Sequence, residues 1–293
     1  MNSKVTIAGA VKNCANHLPN VIKNIENIAK NFSNVGYVFV ENDSSDNTKS
    51  ILKHWRDLLK SGGTKPDFHL ISLDGLDTIK ARTARLEIAR NTYIEAIKSH
   101  KTLSNSDYLI IIDMDEIGAY PIDTREILSA IDFLQKSNER AACFSNQTGY
   151  YYDMWALRHE NYCPSDIWED VANYVISNKC SDEIAYNEIF RKRIFSIDRS
   201  LNPIKVDSAF GGFGIYKMQY ILENPNPYMG SKIKAMPMSD GSTGFARWQV
   251  CEHVHFNQGI KYIGGEIYIF PSLVNHINQS INFNPSFARS LFY

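Results

Sequence analysis

The sequence predicts an α/β fold, a mostly parallel central sheet flanked by helices, followed by an irregular C-terminal lobe. Apolar runs that suit strands alternate with amphipathic stretches through the first half of the chain. One run, Tyr108-Leu109-Ile110-Ile111-Ile112, is apolar throughout, as a strand buried on both faces must be. It leads straight into Asp113-Met114-Asp115-Glu116. That places carboxylates at the sheet edge where open α/β folds bind ligands.

The elements follow in order. Val5 to Val11 reads as the first strand, and Pro19 to Lys30 as a helix with Val21, Ile22, Ile25 and Ile28 at helical spacing. Tyr37 to Val40 is the second strand, Ile51 to Leu59 a helix, and Phe68 to Leu73 the third strand. A long helix over Thr83 to Ser99 carries Leu86, Ala89, Tyr93 and Ile97 on one face. After the run into Asp113 come a helix over Arg125 to Gln135 and a strand over Ala141 to Ser145. Beyond about Gln147 the texture turns aromatic and loop-like, through Tyr150-Tyr151-Tyr152, Trp155, Trp168 and a Gly/Phe-rich stretch from Asp207 to Tyr216. The expected organisation is one domain over residues 1–293, with halves meeting near residue 147.

Composition narrows the function. The chain has 293 residues, 44% hydrophobic and 22% charged, an ordinary balance for a globular enzyme. A net charge of −1 gives no overall basic field for nucleic acid. Cys14, Cys143, Cys163, Cys180 and Cys251 are scattered and odd in number, which suits reduced thiols in a cytoplasmic protein. No apolar run approaches a membrane span, although peripheral association with a membrane stays open.

Asp113 and Asp115 stand two apart, so an extended backbone aims both to one side. Oxygen ligands of this kind suit Mn²⁺ or Mg²⁺, which join protein carboxylates to substrate phosphates. The plain alternative is a strand that ends in an acidic turn. Glu41 closes the second strand, where acidic residues of nucleotide folds accept hydrogen bonds from ribose or base. Asn42 to Asp46 also reads as a simple helix cap. Arg82 and Arg85 lie one turn apart at a helix start, where cations oppose the helix dipole unless an anion such as a diphosphate joins them. The alternative is a solvated face paired to Glu87 and Glu95. Cys251, His253 and His255 alternate, but no second cluster with zinc-like spacing accompanies them.

Taken together, Glu41-Asn42-Asp43-Ser44-Ser45-Asp46-Asn47-Thr48, Ala89-Arg90-Asn91 and Asp113-Met114-Asp115 resemble the GT-A glycosyltransferases. Arg82-Thr83, Tyr151 to Arg158 and Cys251-Glu252-His253-Val254 resemble, within that superfamily, the capsule-associated mannosyltransferases of fungi and their microbial relatives. The superfamily resemblance runs from about residue 4 to 276.

The resemblance implies a GT-A fold and a metal-dependent transferase. It would move a hexose from a nucleoside-diphosphate sugar to a glycan or other hydroxyl acceptor, in surface polysaccharide or glycan synthesis. The donor half would be residues 1–146 and the acceptor half 147–293. Ala8, Glu41, Arg82, Arg90, Asp113 and Met114 would face the donor. Asp113, Asp115 and His276 would hold Mn²⁺ or Mg²⁺. Glu252 and Asp207 would be catalytic, with Glu252 the general base if the enzyme inverts and an orienting group if it retains. His253 stands where the family pattern has Asp. Tyr152, Trp155, Phe213 and His253 would face the acceptor. A metal-dependent phosphotransferase or phosphohydrolase, and a non-catalytic nucleotide-sugar or glycan-binding module, are the competing readings.

Overall fold

A computed structural model describes residues 2–62, 66–237 and 242–278, together with residues 287 and 291. Its strands are β1 (Lys4–Val11), β2 (Asn34–Asn42), β3 (Asp67–Leu73), β4 (Tyr108–Ile112), β5 (Arg140–Gly149), β6 (Ile204–Val206), β7 (Phe213–Lys217), β8 (Ser231–Pro237), β9 (Thr243–Gln249) and β10 (Glu266–Asn278). Eight of them form one mixed sheet in the order β3-β2-β1-β4-β7-β5-β10-β6, and β8 pairs with β9 as a separate ribbon. β1, β2, β3 and β4 run parallel, as does β5 beside β10. β7 lies antiparallel between β4 and β5.

The two-residue period of a strand decides how these strands are buried. Ala8, Val38, Leu109 and Ile111 point to one face and pack with Ala89, Tyr93 and Ile97 of the helix Arg82–Ser99. Ile7, Phe39, Ile110 and Ile112 point to the other. There they meet Val21 and Ile25 of the helix Leu18–Ala29, and Ile127 and Ile131 of the helix Thr124–Gln135. Each fully buried aliphatic side chain stabilises the fold by about 1.5–3 kcal/mol, which is why the β4 run tolerates no polar residue. Among the described residues, no helix is long and apolar enough to cross a membrane.

The second half is more regular than its sequence texture suggests. The Gly/Phe-rich stretch expected as a loop ends at Gly212, and Phe213 onward enters the sheet as β7. The helix Ile167–Asn178 stands where loop was expected, started by Asp166, whose side chain accepts from the backbone N–H groups of Trp168 and Glu169. Cys251 caps the helix Glu252–Tyr262, so the alternating Cys251, His253 and His255 do not share a strand face.

Candidate active site

The C-terminal ends of β1, β2 and β4 open onto a cavity of about 350 Å³. Ala10, Lys12, Asn42, Arg82, Arg85 and Arg90 line one side. Asp113, Met114 and Asp115 line it at the end of β4. Tyr152, Asp153, Trp155, Phe210, Glu252 and His253 come from the second half of the chain.

The loops after β1 and β2 are tied to each other. Asn13, at φ +50°, accepts from the Ser45 N–H (2.8 Å), and its own N–H donates to Ser44 Oγ (3.0 Å). The Ala15 N–H donates to Asp46 Oδ2 at 3.0 Å. Glu41 is fully buried and works inside this loop, accepting from the Ser44 N–H at 2.8 Å and pairing with Lys49 at 3.2 Å. The neighbouring Asn42, rather than Glu41, lines the cavity. Arg85 donates to the Ile79 carbonyl at 2.5 Å, which folds the preceding loop onto the helix, while Arg82 remains exposed beside the cavity.

Arg90 joins the two halves of the site. The residue is 4% exposed. Nε donates to Glu252 Oε1 at 2.9 Å, Nη2 to Asp113 Oδ1 at 3.2 Å and Nη1 to the Tyr93 hydroxyl at 3.2 Å. The guanidinium also lies 5.0 Å from the Phe210 ring centre and 5.8 Å from that of Tyr228, favourable placements for a cation. Burial opposes its charge, but Tyr93, Glu252 and Asp113 hold its pKa well above the ordinary value. Arg90 thus forms a fixed cationic bridge between two carboxylates 139 positions apart (252 − 113) in the sequence.

Asp115 caps the short helix Glu116–Ala119 by accepting from the Ile117 N–H. Burial, and then the charge of Asp113, push its carboxyl up to about 6. Gly118 in that helix has no room for a side chain, because a Cβ would stand 1.8 Å from the Asp113 carbonyl oxygen. Asp113 is held from behind as well, since its N–H donates to the Gly212 carbonyl at 2.9 Å. Gly211 and Gly212 take φ values of +69° and +81°, the region that favours glycine.

The acceptor-side residues expected from sequence gather only in part. Tyr152, Trp155 and His253 line the cavity. The His253 ring stacks on Phe210 at a centroid distance of 3.9 Å, and burial with the Arg90 charge pushes its pKa well below the ordinary value. The neutral ring has neither nitrogen hydrogen-bonded.

Further expectations are corrected. Ala8 is sealed in the core between Val38 and Ile111, and Ala10, two residues on along the same face, reaches the cavity. Phe213 is the first residue of β7 and is 0% exposed in the core, while Phe210, before the glycine turn, takes the place beside the site. Asp207 is a surface residue, 62% exposed and paired with Lys261. His276 pairs across β10 and β5 with Gln147 and lies edge-on to Tyr120 at 6.1 Å between ring centres. Among the described residues no group of three His, Cys, Asp or Glu side chains is gathered to hold a metal, so His276 does not complete a ready-made triad with Asp113 and Asp115. Truncating Phe213 tests its assignment. Phe213→Ala is expected to cost about 3–5 kcal/mol of stability, read by denaturant unfolding, with ligand binding in the cavity unchanged. A loss of binding without loss of stability would return Phe213 to the site.

The family model described as Cryptococcal mannosyltransferase 1 matches residues 4–257. The chain belongs to that family. Comparison with curated proteins gives no match. Among solved structures, the mannosyltransferase PcManGT from Pyrobaculum calidifontis, in complex with GDP-Man and Mn2+, is 13% identical with a TM-score of 0.50. That match covers 94% of this chain and 57% of the other. TarS 1–349 from S. aureus is 11% identical with a TM-score of 0.48, covering 94% of this chain and 60% of its own. Glucosyl-3-phosphoglycerate synthase from Mycobacterium tuberculosis, in complex with uridine-diphosphate, is 9% identical with a TM-score of 0.40, covering 96% and 73%. This member of the Cryptococcal mannosyltransferase 1 family therefore spans 57–60% of the length of PcManGT and TarS 1–349. The likeness to PcManGT shows the GT-A fold.

Sequence reasoning missed Lys12, Asp153 and Phe210 as lining residues. Phe210 had a signal, since the Gly211-Gly212 pair marks a break before the strand. Asp153 lay inside the stretch Tyr151 to Arg158 that carries the family resemblance, and Lys12 had no signal beyond its neighbours.

Proposed function

We propose that this chain is a glycosyltransferase that moves a hexose from a nucleoside-diphosphate sugar to a hydroxyl of a glycan or other acceptor. The observation that carries the proposal is the Arg90 bridge between Asp113 and Glu252 inside a cavity that also holds Arg82, Arg85 and Asp115. A site built this way combines cationic groups for a diphosphate with carboxylates for a divalent cation. Asp113 and Asp115 fit Mn²⁺ or Mg²⁺ by their chemistry, being paired hard oxygen donors on one cavity. When bound, the ion would offset negative charge that builds on the leaving diphosphate. Arg82 and Arg85 would bind the diphosphate, and Lys12 and Asn42 would meet the nucleoside. Glu252, engaged by Arg90, would orient the guanidinium rather than serve as a free base. In the transfer, the acceptor oxygen bonds to the anomeric carbon as the bond from that carbon to the diphosphate breaks. The electron pair leaves on the diphosphate, and the hydroxyl proton passes to a carboxylate of the site and from there to solvent.

On this reading residues 1–293 act as one domain, with a donor half and an acceptor half, in surface polysaccharide or glycan synthesis. The family description and the GDP-Man carried by PcManGT make GDP-mannose the first donor to test. Titrating GDP-mannose and UDP-sugars against the protein should raise its melting temperature only when Mn²⁺ is present. At a donor concentration 100 times Kd the stabilisation is about 2.7 kcal/mol. Shifts with no nucleotide sugar would remove the donor assignment. Inorganic phosphate released without sugar transfer would favour a phosphohydrolase, and donor binding without turnover on any hydroxyl acceptor would favour a binding module.

A further inference from the structure

Four carboxylates line the cavity, and three have an evident occupation. Asp113 and Glu252 are bonded to Arg90. Asp115 caps a helix beside Asp113. Asp153 differs, because it is held only by main-chain donors. Its Oδ2 accepts from the Gly211 N–H at 2.9 Å and its Oδ1 from the Ala156 N–H at 3.4 Å. No arginine or lysine pairs with it among the described residues. Two backbone donors fix a carboxylate without neutralising it, and each oxygen keeps a lone pair for another donor.

The seat of Asp153 is itself built. The Gly211 carbonyl accepts from Asn275 Nδ2 at 2.6 Å, Ser145 Oγ at 2.8 Å and Gln147 Nε2 at 3.2 Å, all three side chains buried. A Cβ on Gly211 would come within 2.8 Å of the Ser145 carbonyl oxygen. The same turn carries Gly212, whose carbonyl receives the Asp113 N–H. The glycine pair therefore sets the position of Asp153 relative to Asp113, the acceptor half relative to the donor half. Buried polar networks of this kind stabilise only when satisfied throughout, so a site fixed by one is fixed tightly. His253 supplies a second sign of a ligand. It is 3% exposed, lines the same cavity, and both of its ring nitrogens lack a hydrogen-bond partner. A buried polar group left so is costly unless something binds it.

We infer that Asp153 is the residue that takes the hydrogen bond of the acceptor's reacting hydroxyl, with His253 meeting a neighbouring hydroxyl of the same sugar. The inference rests on the glycosyltransferase reading and adds the acceptor contact to it. Tyr152 and Trp155 flank Asp153 in the cavity, apolar faces of the kind on which sugar rings pack.

The test uses the full chain with GDP-mannose and Mn²⁺, following GDP release with water as the acceptor and with added methyl α-D-mannopyranoside. Asp153→Asn keeps the size and one acceptor oxygen for the Gly211 N–H. It is expected to lower GDP release about 10²–10⁴-fold, while calorimetry finds the affinity for GDP-mannose with Mn²⁺ within about twofold of the parent. That retained affinity shows that the variant has folded. Asp153→Glu, which restores the charge at the wrong reach, should recover little of the rate. Parental turnover in Asp153→Asn would overturn the inference alone. Equal losses of donor affinity and rate would also overturn it, by placing Asp153 on the donor side. A parent protein that binds no nucleotide sugar would overturn the functional reading, and this inference with it.

Discussion

Arg90→Ala is expected to unfold more easily than the parent by about 3–5 kcal/mol, the usual cost of leaving a buried charge without its partner. For a chain of this size that corresponds to a fall in melting temperature on the order of 10 °C. The reason lies in what stays behind. Glu252 is 4% exposed and loses the Nε donor at 2.9 Å, and Asp113 loses Nη2 at 3.2 Å. Two carboxylates then face one cavity with no cation between them, while Phe210 and Tyr228 lose the charge above their rings. Arg90→Lys separates charge from geometry. A lysine restores one positive point but does not span two carboxylates as a planar fork does. Its stability should recover in part, while turnover with GDP-mannose stays low. If the lysine variant restores both, the bridge is an electrostatic convenience and not the joint of the site. Glu252→Gln complements this pair. It removes the charge from the other end of the bridge at nearly constant volume, so a rate close to parental would take Glu252 out of the site.

What the sequence made legible follows from where burial is complete. β4 is apolar from Tyr108 to Ile112 because helices cover both faces, and this uniformity is visible without a structure. β1 and β2 pack nearly the same way and were legible for the same reason, while β3, the half-buried edge strand, was legible from its alternation. β7 was hidden by its glycine. Gly214 sits where a Cβ would meet the Phe144 ring at 3.1 Å, so packing demands the residue type that most weakens a strand signal. That concealment also produced the Phe213 error, since a loop aromatic and a strand aromatic read alike. The helix Ile167–Asn178 carried its signal openly, with Asp166 before Ile167, Trp168, Val171 and Ala172 at helical spacing. Its aromatic surroundings drew attention away. The site divides in the same manner. Asp113 and Asp115 stand at a strand end that sequence locates, whereas Arg90, expected beside the nucleoside, lies mid-helix and bridges Asp113 to Glu252. Asp153 depends on Gly211, 58 positions later, and on side chains of β5 and β10 behind it. Contacts of that range leave no local periodicity to read.

The second large effect concerns the carboxylate pair, and its two readouts should move apart. Asp115→Asn is expected to remove the Mn²⁺-dependent rise in melting temperature produced by GDP-mannose and to lower kcat/KM about 10³-fold. An ion that stabilises a developing charge by several kcal/mol supplies that factor at about tenfold per 1.4 kcal/mol. The fold should survive. Asparagine is as good a helix cap as aspartate, so the bond from the Ile117 N–H to the side-chain oxygen persists. The ligand-free variant should be as stable as the parent or more so, because one of two like charges sharing a partly buried cavity is gone. Sites kept for function commonly hold such a cost in stability. Asp113→Asn should differ in sign. Asp113 accepts from Arg90 Nη2 and is the end of the bridge to Glu252, so its loss should lower both activity and stability. A destabilised Asp115→Asn with intact metal dependence would show that Asp115 is a structural cap and that the ion is held elsewhere. Equal destabilisation of both variants would mean that the pair works as one structural unit. Only a stability loss confined to Asp113→Asn, with the metal response lost in both, fits two carboxylates of which one is tied to Arg90 and the other is kept for the cation.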